Sequence, residues 1–253
     1  MKNMDMRFTI AIGSKRIEIG GHYGLIFEQC REYISDGIPD IIIWSKEYGK
    51  TSGSLNNMRE HIRKNKNGVV RIDPAKDESL EIQQEIAEKM INKGFLLIHG
   101  AAVEKDGAAH VFVAPSGTGK TTRLRFWMEL YPNSTIINGD KPMIHTSGSC
   151  VLVCGTPWAG KEGWGSNIQV PLRAIYMLER SNEDRVEEIS IGEALPKLFQ
   201  QTYAPREMEN RQKKIRMLAE MAGKVHFYRY QSTMTRESVR MAYEAAQAAR
   251  PIQ

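Results

Sequence analysis

The run Ala-Pro-Ser-Gly-Thr-Gly-Lys-Thr at residues 114–121 constrains the fold more than any other feature of this sequence. An apolar segment that favours a buried strand precedes it, and the segment from Arg123 to Leu130 favours a helix. Strand, glycine-rich turn and helix form the context in which the pattern G-x-x-x-x-G-K-[ST] binds nucleotide phosphates. Ala114 replaces the first glycine, but the Ser-Gly-Thr-Gly-Lys-Thr portion is complete. The sequence therefore predicts a nucleotide phosphate site.

The residue types in this run suit that role for physical reasons. Glycines let backbone N–H groups turn inward around an anion, and the N-terminus of the following helix adds a favourable dipole. We expect Lys120 to reach the outer phosphates and the Thr121 hydroxyl to bind Mg²⁺. The expected nucleotide-binding residues are Pro115, Ser116, Gly117, Thr118, Gly119, Lys120, Thr121 and Thr122.

A single acidic residue follows the next predicted strand. This strand, Thr135 to Asn138, runs into Gly139 and Asp140, so it brings a carboxylate towards the phosphate loop. A carboxylate in this position can hold Mg²⁺, accept a proton from an attacking hydroxyl, or do both in turn. No N-K-x-D motif for reading guanine occurs in the sequence, which disfavours a GTPase switch.

Two further residues are candidates for the same site. His99 lies on an apolar segment, 95–103, that predicts one strand directly before the hairpin leading to the phosphate loop. Lys161 lies in a long polar loop, 155–167, and loops of this length are uncommon unless they are functional. The sequence leaves open that His99 is a core histidine, that Asp140 belongs only to a turn, and that Lys161 is merely solvated.

Together these segments resemble the C-terminal domain of the HPr kinase/phosphorylase family. His99-Gly100 is similar to the family's His-Gly before its P-loop, and Val113 to Thr121 is similar to its G-x-S-G-x-G-K-S. Ile136 to Asp140 resembles its apolar strand ending in an Asp-Asp pair, and Val170 to Arg180 resembles the strand after its substrate loop. The resemblance covers residues 95 to 180.

The resemblance implies an α/β fold, with a P-loop kinase core of the HPr kinase and phosphoenolpyruvate-carboxykinase-like type and a mixed sheet. It also implies transfer of phosphate from ATP, with Mg²⁺, to a serine hydroxyl. By position, His99 and Asp140 take the roles of assisting the attacking serine. From their own positions in the sequence, Lys120 and Lys161 are further catalytic candidates, because a lysine near phosphate suits the transferring group. Thr121 and Asp140 are the expected metal ligands.

Two departures from the family change the expected acceptor. The first is that Asp140 stands alone, since Gly139 and Lys141 flank it where the family has an Asp-Asp pair. The second is that the loop before Val170 differs from the family's substrate loop. Its run Pro157-Trp158-x-Gly-Lys161-Glu162, followed by Asn167, looks more like the short HPr-kinase-like proteins encoded in clusters that make ribosomal peptide natural products. Some of these are similar to kinases that phosphorylate a lasso-peptide precursor on its C-terminal serine. The expected partner is therefore a peptide or small protein with a serine hydroxyl.

Other functions remain open at this point. A true HPr serine kinase/phosphorylase, a nucleotide-sensing module without chemistry, and a kinase of a small molecule all fit the phosphate loop. Which of His99 and Asp140 is the general base also stays open.

The remaining sequence predicts two domains, at residues 1–75 and 76–253. The first is small and β-rich, with a hairpin over residues 7–19 and a strand at 41–44. A loop from 46 to 67 contains a short helix near 58–63. A strand at 69–72 then returns to the sheet that the hairpin begins. The second begins with a helix capped by Asp77 or Ser79. Its later elements are a hairpin turning at 147–149, helices at 121–130, 192–200, 208–222 and 235–249, and a strand at 225–230.

Composition excludes several classes of function. The net charge of +5 over 253 residues is too mild and too dispersed to indicate a nucleic-acid partner. No apolar run approaches the roughly 18 residues of a membrane span, and the N-terminus lacks the apolar core of a signal peptide. The cysteines, Cys30, Cys150 and Cys154, cannot form a disulfide framework. We therefore expect a cytoplasmic protein without a membrane partner, and homo-oligomerisation stays open.

Overall fold

The computed structural model describes residues 6–45, 62–65, 68–71 and 73–250. By compactness the chain divides into two units, Met1–Ile86 and Ala87–Gln253. The domain boundary expected between residues 75 and 76 stays a prediction. None of the helices in the described ranges combines the length and the apolar character that a membrane span requires.

The first unit contains the predicted hairpin. Strands β1 (Met6–Ile12) and β2 (Lys15–Gly21) pair antiparallel across a turn in which Gly13 has a φ of 56°. Strand β3 (Ile41–Trp44) pairs parallel with β2, which confirms the predicted strand. Helix α1 (Gly24–Cys30) lies between β2 and β3 in the chain, and the sequence did not predict it.

The polar segment after β3 differs from the prediction where it is described. Residues 46–61, including most of the short helix expected near 58–63, lie outside the described residues. Strand β4 (Ile62–Asn65) occupies part of the predicted loop and pairs with β5 (Gly68–Arg71) as a separate two-stranded sheet. The loop prediction was therefore wrong at 62–65, and β5 does not return to the first sheet. Their mutual pairing satisfies the backbone groups that face the partner strand.

Helix α2 (Pro74–Ile91) begins earlier than expected. The Asp73 carboxylate accepts a hydrogen bond from the backbone N–H of Ala75 at 3.1 Å, so Asp73 caps the helix. Proline is well suited to the first helical position because it has no N–H to leave unpaired. The predicted caps, Asp77 and Ser79, lie inside the helix instead.

The second unit is built on a nine-stranded mixed sheet. The strands are β6 (Phe95–Leu97), β7 (Gly100–Lys105), β8 (Ala108–Val113), β9 (Thr135–Asn138), β10 (Met143–His145), β11 (Leu152–Cys154), β12 (Gln169–Arg180), β13 (Arg185–Ile189) and β14 (His226–Ser232). Their order is β6-β10-β11-β12-β8-β7-β9, with β14 beside β12 and β13 paired to β14. Strands β8, β12 and β14 run parallel, whereas β7 is antiparallel to both β8 and β9.

Helices cover both faces of this sheet. They are α3 (Lys120–Leu130), α4 (Ile191–Gln201), α5 (Met208–Ala219) and α6 (Arg236–Ala248), close to the predicted positions. Successive strand residues point to opposite faces. Val111 of β8 accordingly packs in the cluster that contains α4 and α5 residues, and Phe112 packs in the cluster with α3 and α6 residues. The predicted α/β class with a mixed sheet is thus confirmed.

The segment 95–103 corrects a prediction that matters for the site. It forms two strands, because β6 pairs with β10 whereas β7 pairs with β8 and β9. At the break, the Ile98 N–H donates to the Pro142 carbonyl at 3.0 Å, and the His99 N–H donates to the Gln201 carbonyl at 2.6 Å. Both N–H donors are thus satisfied by carbonyls outside the strands. His99 therefore lies at a strand junction.

Candidate functional site

A cavity of about 440 Å³ lies where β7, β8, β9 and β12 meet the glycine-rich loop, residues 114–121. Every predicted site residue except Pro115 and Thr118 lines it. Its lining among the described residues is His99, Ser116, Gly117, Gly119, Lys120, Thr121, Thr122, Gly139, Asp140, Gly160, Lys161, Glu162, Arg180 and Met234.

The glycine-rich loop has the conformation that its composition favours. Gly117 and Gly119 adopt φ values of 79° and 114°, in the region that residues with a Cβ avoid. The Thr118 hydroxyl donates to the Pro115 carbonyl at 2.9 Å, so these two residues close the turn of the loop itself. The Lys120 ammonium donates to the Ala114 carbonyl at 2.7 Å, across the loop. Burial lowers the pKa of Lys120, although the charge of Asp140 opposes the shift.

The start of α3 is suited to an anion. Gly119 occupies the N-cap position and provides no side-chain hydrogen bond, so the first helical N–H groups have no side-chain cap. These groups carry partial positive charge, and Lys120 and Thr121 of the first turn line the same cavity. Such an arrangement is typical of sites that bind phosphate groups.

His99 and Asp140 form a pair on one side of the loop. The His99 Nε2 atom lies 3.3 Å from the Asp140 Oδ1 atom, and the Gly100 N–H donates to the Asp140 carbonyl at 3.0 Å. Both side chains are partly exposed to the cavity. Burial favours the neutral form of Asp140, but the hydrogen bond from His99 and nearby positive charges outweigh it and hold its pKa below the ordinary value. Asp140 is therefore ionised at neutral pH.

Asn138 positions Asp140, and the sequence analysis did not single it out. Its fully buried side chain accepts hydrogen bonds at Oδ1 from the N–H groups of Asp140 at 2.9 Å and Lys141 at 2.6 Å. Its amide donates to the Thr156 carbonyl at 2.9 Å. Asparagine commonly bonds to backbone groups that follow it in turns. The Asn-Gly pair before Asp140 is a local signal for this turn, although the apolar pattern there predicts only the end of a strand.

Gly139 brings the long loop 155–167 against this turn. The Gly139 N–H donates to the Trp164 carbonyl at 2.8 Å, and a Cβ on Gly139 would lie 2.8 Å from the Ala159 carbonyl oxygen. Only glycine allows this close approach. Lys161 and Glu162 consequently line the cavity, where both are exposed and neither makes a hydrogen bond or ion pair with another described residue.

The other ring nitrogen of His99 contacts the end of α4. Its Nδ1 atom lies 3.1 Å from the Gln201 Oε1 atom, and the Gln201 carbonyl accepts the His99 N–H. The buried Lys214 ammonium of α5 donates to the carbonyls of Phe199 at 2.8 Å and Thr202 at 3.1 Å, which fixes the end of α4. Burial lowers the pKa of Lys214 to about 8. Gln201 thus holds the imidazole from the side opposite Asp140, a contact between distant positions for which the sequence offered no signal.

Thr121 and Asp140 fit a magnesium ion that arrives with phosphates. Both line the cavity, whereas the described residues contain no cluster of three or more His, Cys, Asp or Glu side chains that could hold a metal alone. Mg²⁺ is commonly bound by one or two protein oxygens together with phosphate oxygens and water. The donor set is therefore compatible with a nucleotide-bound ion.

Comparison with known proteins assigns no family to the chain. No protein family model matches the chain, and no curated protein has a matching sequence.

Proposed function

We propose that this chain is an ATP- and Mg²⁺-dependent kinase that phosphorylates a serine hydroxyl of a peptide. The proposed acceptor is the C-terminal serine of a lasso-peptide-type precursor. The observation that supports the proposal is the His99–Asp140 pair at 3.3 Å, which lines the same cavity as the uncapped N-terminus of α3. A phosphate loop alone accounts for binding of a nucleotide, whereas an ionised carboxylate beside it accounts for activation of the acceptor hydroxyl.

The glycine-rich loop and Lys120 bind and orient the phosphates of the donor. The first N–H groups of α3 point towards the anion, and Lys120 exchanges its contact with the Ala114 carbonyl for a contact with phosphate. Charge on the transferring group is neutralised by these fixed donors. Mg²⁺, when bound, supplies further neutralisation of phosphate charge, with Thr121 and Asp140 as its protein ligands.

Asp140 accepts the proton of the attacking serine. As the serine oxygen forms its bond to the terminal phosphorus, the bond from phosphorus to the bridging oxygen breaks and the diphosphate leaves with that electron pair. His99 holds the Asp140 carboxylate through Nε2, while Gln201 and Asn138 hold His99 and the Asp140 backbone. Lys161 has no ionic partner among the described residues and is available to the transferred group.

The test is transfer of label from γ-labelled ATP to precursor peptides encoded beside the gene for this chain. We expect label on the C-terminal serine of one peptide, and no label when that serine is replaced by alanine. Asp140→Asn should abolish transfer while retaining ATP binding. ATP binding without transfer to any peptide, HPr or small hydroxyl compound would reject the kinase proposal and leave a nucleotide-binding module.

A further inference from the structure

The two sides of the glycine-rich loop carry different groups because of the strand order. Strand β8, which leads into the loop, has β7 and then β9 on one edge, and β12 and then β14 on the other. His99 directly precedes β7 and Asp140 follows β9, so both lie on the first side. Arg180 ends β12, and Met234 follows β14, whose Ser232 is the partner of Arg180. The loop therefore separates the His99–Asp140 pair from Arg180 and Met234.

Met234 is held in a strained conformation over the loop. Its φ of 69° is unusual for a residue with a side chain, and such outliers occur often at binding sites. A Cβ on Gly119 would lie 2.4 Å from the Met234 Cε atom, so the methionine reaches the loop backbone directly. Asp184 accepts hydrogen bonds from the Thr233 N–H at 2.6 Å and from the Thr235 hydroxyl at 3.1 Å. Both neighbours of Met234 are thus fixed.

Arg180 fixes the loop from the same side. Its Nη2 atom donates to the Gly117 carbonyl at 2.7 Å, and its Nε atom lies 3.4 Å from the Thr118 carbonyl. Arg180 and Met234 both line the cavity. This side of the loop therefore carries a charged, planar guanidinium group and a thioether.

The geometry points to a subsite formed by Arg180 and Met234 that binds the nucleoside end of the donor, with a purine as the base. A nucleotide whose terminal phosphate faces Asp140 extends its other end across the loop, towards β12 and β14. Thioethers make favourable contacts with aromatic rings, and guanidinium groups stack on them. The inference rests on the proposed function only in requiring that the phosphates in the loop belong to a nucleotide.

Photolabelling with 8-azido-ATP tests the placement of the base. The reagent carries its reactive group on the purine, and trypsin separates the regions concerned into peptides 94–105, 174–180 and 230–236. We expect label that ATP competes away on 230–236 or 174–180. Competed label on 94–105, which contains His99, would overturn the subsite and leave the kinase proposal intact. Absence of any competed label would reject ATP as the ligand and the subsite with it.

Matched variants separate the base from the phosphates. Met234→Asn suits the left-handed backbone and removes the thioether, so the fold should be kept. We expect it to weaken ATP binding about 3- to 10-fold, while the affinity for inorganic tripolyphosphate changes less than about 2-fold. Met208→Asn, at an exposed methionine that begins α5, is the control and should change neither. If Met234→Asn weakened the binding of ATP and of tripolyphosphate equally, or changed neither affinity, the result would contradict the subsite. Subsite binding in a protein that transfers no phosphate would support this inference while the kinase proposal fails.

Discussion

The pair His99–Asp140 and the turn residues Lys161 and Glu162 line the same cavity but are held very differently. His99 is bonded at both ring nitrogens and at its backbone N–H, and Asp140 is held at both its N–H and its carbonyl. Lys161 and Glu162 are exposed and make no hydrogen bond or ion pair with other described residues. Groups fixed before substrate binds need no reorganisation during reaction. We infer that the fixed pair carries the chemistry and that the turn adapts to the substrate.

Asp140→Asn should have the largest effect, because it removes the proposed proton acceptor while keeping the shape of the side chain. We expect kcat to fall by about 10²- to 10⁴-fold, the range typical of general base catalysis. Single-turnover phosphate transfer measures this effect, and equilibrium ATP binding is the accompanying control. A fall of less than about 10-fold would remove Asp140 from the chemical step.

Asn138→Ala should have the next largest effect, because it releases the turn that places Asp140. Two backbone N–H groups and the Thr156 carbonyl lose their buried partner, which should lower the free energy of unfolding by about 1–3 kcal/mol. Misplacement of the carboxylate should lower kcat by about 10²-fold. Asn138→Leu fills the same space without these hydrogen bonds and should lose as much activity as Asn138→Ala. Wild-type kcat in both variants would contradict the positioning role.

Gln201→Met should lower kcat by about 10-fold with little change in the KM for ATP. The change keeps the length of the side chain and the backbone carbonyl that binds the His99 N–H, and removes only the contact to Nδ1. The ¹⁵N chemical shifts of the His99 ring should change in this variant, since the Nδ1 atom loses its hydrogen-bond partner. Gln200→Met, at the exposed neighbouring position of α4, is the matched control and should change neither quantity. Wild-type kcat and unchanged ring shifts in Gln201→Met would show that the contact is dispensable.

Lys161→Ala should have the smallest effect of the four. Its ammonium is not fixed before substrate binds, so part of its favourable interaction is offset by the entropy lost on ordering the side chain. We expect kcat/KM to fall by about 3- to 10-fold. The difference from wild type should become smaller at high salt, because salt screens an exposed charge. A loss as large as that of Asp140→Asn would overturn the distinction between the fixed pair and the adaptable turn.

Local pattern explains which elements the sequence predicted correctly. The strand, glycine-rich loop and helix at residues 108–130 depend on neighbouring residues, as do the hairpin β1–β2 and the helices of the second unit. The break at His99 was not predictable from the apolar run 95–103, because it depends on pairing with β10 and on a carbonyl of α4. The cap at Asp73 was missed for a different reason, since Asp77 and Ser79 offered equally plausible local signals.

The sequence by itself determined the glycine-rich loop between strand and helix, the α/β class and the identity of the candidate residues His99, Asp140 and Lys161. Tertiary structure decided which of them meet and how firmly each is held. Residues as far apart as Asn138 and Thr156, or His99 and Gln201, are joined by hydrogen bonds that no local pattern encodes. Strand order likewise placed Arg180 and Met234 on the side of the loop opposite the His99–Asp140 pair. The physical reason is that propensity acts over a few neighbouring residues, whereas sheet order and buried hydrogen bonds form only when distant segments pack together.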